Sequence, residues 1–209
     1  MATIAILIPL MRPHRIAPVV SSIQESTQDY TVVVVATGEC ADAARELPVT
    51  LIEDEGGTYP VRINKAFRAC TEPYVFLGAD DLAFRPGWFD AAMIQMNNVN
   101  GVVGINDLHN MAGVHFVVSR SYIDELGGTG DEADRGVVLC EDFIHQYCDD
   151  CLRHVAQFRN RWAFATDAVV EHLHPGAGKA PTDETYAIGN AAGAHDREVF
   201  MSRRHLWGQ

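Results

Sequence analysis

Residues Tyr30 to Ala36 read YTVVVVA, with four valines in succession. β-Branched side chains favour the extended backbone, and a strand with no polar alternation has no face to offer to water, so this segment belongs in a sheet covered on both sides. Thr3 to Ile8 (TIAILI), stopped by Pro9, Val49 to Ile52 and Tyr74 to Leu77 (YVFL) are further short apolar runs. Between them lie segments of helical period at Ile16 to Ile23, Asp42 to Leu47 and Val61 to Cys70. Strands alternating with helices predict right-handed crossovers and an α/β fold with a mostly parallel central sheet, whose ligands gather beyond the carboxyl ends of the strands.

Beyond about residue 100 the character changes. Strands are expected at Val102 to Ile105, Val114 to Val118 and Ala163 to Val170, with helices at Arg120 to Leu126 and Asp142 to Val155. Residues 175 to 195 are rich in Gly, Ala, Pro and Thr and form a candidate lid. With 209 residues, 47% of them hydrophobic, one domain is expected over 1–209. The formal charge of -12 disfavours phosphate backbones and anionic membranes. No apolar run approaches the roughly 20 residues that span a bilayer, and the amino terminus lacks a basic lead, so a cytoplasmic protein without a membrane anchor is expected. Five cysteines without dense spacing also suit a reducing compartment.

The fourth apolar run continues as YVFLGADD and delivers Asp80 and Asp81 to the rim where ligands bind. Such carboxylates are hard oxygen ligands of the kind magnesium and manganese prefer; the plainer reading is capping ahead of Arg85-Pro86-Gly87. Glu171-His172 follows the late strand, and strand alternation allows only one of the two to face the same rim. Glu141-Asp142 is either a helix cap or a general base. Cys140, Cys148 and Cys151 suggest zinc, but their spacing inside a helix favours core packing. Gly56-Gly57 and Gly127-Gly128 match no phosphate-binding loop.

In this order the features resemble GT-A glycosyltransferases, the family 2 cores and the catalytic domains of polypeptide N-acetylgalactosaminyltransferases. The similarity rests on IAILIPLMR with Pro9 and Arg12, VVVVATGEC, Arg62-Ile-Asn64-Lys65-Ala66, FLGADD at the aspartate-rich DXD motif, Gly113 to Arg120, Glu125 to Gly128, Glu141-Asp142 at the xED motif and Val169-Val-Glu-His172. It implies a single-domain, Rossmann-like GT-A fold with a small acceptor-side sheet: a nucleotide-sugar-binding half (1–100), an acceptor half (101–175), and a lid and tail (176–209).

The resemblance further implies a metal-dependent glycosyltransferase using Mn2+ or Mg2+, with Asp80, Asp81 and His172 as ligands. Asp142 would be the base of an inverting transfer to an acceptor hydroxyl, with Glu141 orienting it. Pro9, Arg12, Arg62, Asn64, Gly78, Ala79 and Asp80 fall on the donor side, where a UDP-sugar is the family default, and Lys179 and Tyr186 could close over its diphosphate. Two positions depart from the pattern: Ala36-Thr37 stand where an aspartate pair is usual, leaving Asp54 or Glu53 to meet the base, and Gly78 replaces the first DXD aspartate, normally near the ribose. The acceptor, whether protein, small molecule or modified nucleobase, is not legible. Nucleotidyl transfer to a sugar phosphate and a non-catalytic sugar- or nucleotide-binding module are the alternative readings.

Overall fold

The computed structural model describes residues 4–110 and 113–209; Thr3, expected in the first strand, lies outside them. Among these residues eight strands form one sheet: β1 (Ile4–Pro9), β2 (Tyr30–Ala36), β3 (Thr50–Glu53), β4 (Tyr74–Leu77), β5 (Leu82–Phe84), β6 (Val102–Asn106), β7 (Phe116–Ser119) and β8 (Trp162–His172), in the order β3-β2-β1-β4-β7-β6-β8-β5. The first four are mutually parallel, as their crossover helices require. Strand β7 turns the direction by pairing antiparallel with both β4 and β6, and β6 pairs parallel with β8.

The valine run behaves as its chemistry demands. Val32 and Val34 enter one core with Ile4, Ile6, Phe76 and Trp88, while Val33 and Val35 enter the opposite core with Leu7, Ile63, Phe67 and Leu77. The first face is covered by α1 (Ile16–Ser26), α2 (Gly38–Arg45) and α4 (Trp88–Val99); the second by α3 (Tyr59–Ala69), α5 (Arg120–Leu126) and α6 (Cys148–Phe158). Cys140, Cys148 and Cys151 are buried free thiols in that second core.

Three local expectations change. Strand β5 and helix α4 occupy a stretch left without regular elements in the sequence reading. The helix expected from Asp142 starts at Cys148, after a loop in which Tyr147 takes a left-handed conformation at φ 62°. The Gly/Pro-rich stretch leads not into an irregular lid but into two helices, α7 (Glu184–Ala191) and α8 (Gly193–Arg203). No helix of the described residues is long and apolar enough to cross a membrane.

Candidate active site

A cleft of about 460 Å³ opens beyond the carboxyl ends of β1 and β4, within the size range of small-molecule sites. Its opposite wall is the stretch from Ile144 to Asp150, and α7 contributes Thr185, Tyr186, Ile188 and Gly189.

Strand β4 ends at Leu77, and the chain then passes close to β1: the Gly78 N–H donates to the Leu7 carbonyl at 2.9 Å. A Cβ at Gly78 would sit 2.8 Å from that same oxygen, so the position is kept for glycine by backbone proximity. Asp80 follows and turns back onto the loop after β1. Its Oδ2 accepts the backbone N–H groups of Met11 and Arg12, both at 2.8 Å, and its Oδ1 pairs with the Arg12 guanidinium. Burial raises the Asp80 pKa, opposed by Arg12 and the Met11 N–H. The same guanidinium lies 3.6 Å from Asp81 Oδ2, donates through Nε to Asp183 at 2.7 Å and stacks over the Tyr186 ring at 4.1 Å.

Asp81 meets a different set. The Tyr186 hydroxyl donates to its Oδ2 at 2.7 Å, and His172 Nε2 lies 3.4 Å from its Oδ1. Burial works against this carboxylate, but His172 and Tyr186 outweigh it and depress its pKa well below the ordinary range. The register brings them together: in the β5–β8 pair Leu82 faces His172, and the Leu173 N–H donates to the Asp81 carbonyl at 2.8 Å. Glu171 therefore points away, where it binds Arg85 and Lys179. His115 lies edge-on to His172, with ring centroids 4.9 Å apart. Its Nδ1–H donates to the Leu77 carbonyl at 3.1 Å, and burial, aided by His172, pushes its pKa down to about 4.

The charged side chains lining the cleft are Asp80, Asp81, Asp149 and Asp150 against Arg12 and Arg62. A diphosphate would add negative charge to this excess, so a divalent cation suits the site electrostatically. Among the described residues no three His, Cys, Asp or Glu side chains form a ready metal cluster. Asp81 Oδ1 and His172 Nε2 are nonetheless the two atoms that could hold a divalent ion here, and carboxylate oxygen is a ligand magnesium and manganese favour. Asp80, engaged by Arg12, is not free to join them in this conformation.

Of the other donor-side candidates, Pro9, Arg12, Arg62 and Ala79 line the cleft. The Asp54 side chain is fully buried in a two-pronged contact with Arg62, at 3.2 Å for both oxygens, and does not line the cleft. Asn64 works structurally: its amide donates to the Leu139 carbonyl and Glu141, and its oxygen accepts the N–H groups of Val138 and Leu139. Lys179 lies on Glu171, outside the cleft lining.

Glu141 and Asp142 do not line the cleft either; Asp142 is 74% exposed and its nearest cation is Arg203 at 3.9 Å. The second acidic pair of the segment CEDFIHQYCDD does line it. Asp149 and Asp150 open α6, and burial together with the Asp150 charge pushes the Asp149 pKa up to about 7. The intervening loop is held by Asp196 of α8. Its carboxylate, completely buried, accepts the N–H groups of Ile144, His145 and Gln146 at 2.7 to 2.9 Å.

No protein-family model matches the sequence, and a search of curated proteins finds no match. Solved structures do match in shape. Glucosyl-3-phosphoglycerate synthase from Mycobacterium tuberculosis, in complex with phosphoglyceric acid, superposes with a TM-score of 0.65 at 13% identity, over 99% of this chain and 80% of that one. S. aureus TarS gives 0.61 at 12% identity over 81% of this chain, which spans only 36% of the TarS chain. A shorter TarS, 1-349, in complex with UDP gives 0.59 at 13% identity over 81% of this chain and 59% of that one. The molecule thus has the GT-A glycosyltransferase fold.

Proposed function

We propose that the protein is a glycosyltransferase that moves a sugar from a nucleoside-diphosphate sugar to an acceptor hydroxyl. The observation that carries this reading is that Asp81 with His172 on one wall and Asp149 on the other line a single cleft of a GT-A fold. A Mn2+ or Mg2+ ion held by Asp81 and His172 would supply positive charge against the departing diphosphate. Tyr186, whose pKa burial and Asp81 push up to about 12, keeps its proton and fixes the Asp81 carboxylate. Arg12, held by Asp80, extends positive charge toward the same end of the cleft. The UDP complex of TarS supports a uridine nucleotide as the first donor to try.

We assign the base to Asp149, not to the Asp142 that the sequence pattern suggested. Asp149 lines the cleft, and a carboxyl titrating near neutrality is matched to removing a hydroxyl proton. As the acceptor oxygen bonds to the anomeric carbon, that carbon's bond to the diphosphate breaks, and the acceptor proton passes to Asp149. A single displacement inverts the anomeric configuration.

Donors are found by thermal-shift screening of sugar nucleotides with and without manganese, and transfer is then measured in variants. Asp149→Asn is expected to lose at least about a hundredfold in rate, the scale of a general base, with Asp142→Asn within a few-fold of wild type. An inactive Asp142→Asn and an active Asp149→Asn would return the base to Asp142. Donor binding without transfer or hydrolysis across acceptors would instead support a non-catalytic module.

A further inference from the structure

Asp107 follows the last residue of β6, is fully buried, and has no part in the roles assigned so far. Its Oδ1 accepts the N–H groups of His109 and Asn110 at 2.8 and 2.6 Å, which shapes the turn. Among the described residues its Oδ2 is buried without a hydrogen-bond partner, and it lies 4.0 Å from His172 Nδ1. A buried carboxylate oxygen with no partner is costly, so its place beside a ring nitrogen calls for an explanation that the turn does not provide. The backbone ties the two residues as well, the His172 N–H donating to the Asp107 carbonyl at 3.1 Å. The imidazole thus has a carboxylate at each end, Asp107 toward Nδ1 and Asp81 at 3.4 Å from Nε2.

We infer that Asp107 is a positioning residue for His172. It holds the ring with the proton on Nδ1, so that Nε2 is the atom presented to Asp81 and to whatever enters the cleft. The inference rests on reading His172 as a ligand-binding side chain of the proposed transferase. An imidazole steered by a carboxylate behind it is oriented and kept in one tautomer, which is how histidines that bind metals or substrates are commonly prepared.

Asp107→Asn tests this without removing the turn, because the amide oxygen still accepts the His109 and Asn110 N–H groups. The amide nitrogen that replaces Oδ2 donates, and so opposes a proton on Nδ1. Imidazole 15N shifts at alkaline pH, assigned with His172→Gln, are expected to show His172 protonated at Nδ1 in wild type and shifted toward Nε2 in Asp107→Asn. Manganese affinity, read by electron paramagnetic resonance, is expected to fall about 10- to 100-fold, with the melting midpoint of the ligand-free chain unchanged. In a His172→Gln background Asp107→Asn should cost no more affinity.

An Nε2-protonated His172 in the wild type overturns the inference, even if the variant does not fold. So does an unchanged tautomer with unchanged manganese affinity, or an equal loss in the His172→Gln background. If the wild type binds no manganese, the metal-assisted reading falls, and the tautomer measurement alone decides the role of Asp107.

Discussion

Arg12 shows how one side chain can settle two buried acids. Its guanidinium pairs with Asp80 and approaches Asp81, and the side chain is only 7% exposed. Removing it would leave Asp80 with two backbone donors and no counter-charge in a site that water barely reaches. Arg12→Met is therefore expected to cost about 3 kcal/mol or more of folding stability, the penalty of stranding one partner of a buried pair. Adding Asp80→Asn should recover much of it, as read from urea midpoints in a double-mutant cycle; a loss under about 1 kcal/mol would show that Arg12 is not the counter-ion. Asp80, Asp81 and His172 were legible because strand ends can be read from apolar runs. Asp149 was not, because CEDFIHQYCDD holds two acidic pairs of the same chemistry. The loop that separates the pairs is held by Asp196, some fifty positions away, through the N–H groups of Ile144, His145 and Gln146.

At the scale of elements, the bounds expected for β2, β4 and α5 coincide with the observed ones, since unbroken apolar or clearly periodic runs leave few options. Strand β5 has only three residues, and α4 carries apolar side chains on its outer face too, with Ile94 64% exposed, so neither has a clean period. Helices α7 and α8 were hidden for another reason. Their ties to the rest of the molecule mix long-range polar contacts, through Asp183, Tyr186, His195 and Asp196, with the packing of Val199 and Phe200 on the second core. Asp196→Ala would take a buried acceptor away from three part-buried backbone donors, at an expected cost of about 2 to 3 kcal/mol. Hydrogen exchange at Ile144, His145 and Gln146 should then quicken ahead of the sheet; unchanged exchange there would show that the loop holds itself.

Over the whole molecule, two buried groups give opposite responses to acid. His115 stays neutral in the fold down to about pH 4 against 6.5 for a free ring, so below 6.5 the unfolded chain takes up a proton the fold refuses, and stability is lost as pH falls. Asp149 is raised to about 7 from 3.8, so the fold holds a proton the unfolded chain has released, and stability is gained as pH falls through that window. In Asp149→Asn only the histidine response remains. Between pH 7 and 5 this variant should lose more stability than wild type, by on the order of 1 kcal/mol; parallel urea midpoints at the two pH values would contradict it.

The last two helices also act as a hasp across the molecule. One end latches the wall beyond β1 and β4 through Asp183 on Arg12 and Tyr186 on Asp81, and the other latches the facing wall through Asp196 and the His195 contact to the Asp142 carbonyl. A chain cut short before Asp183 would keep its sheet and the hydrophobic layer under α1, α2 and α4, but would strip Val199, Phe200, Leu206 and Trp207 from the second. It would also lose the catch on both jaws at once, so the 27 residues from Asp183 onward are as much a part of the cleft as the strands that face it.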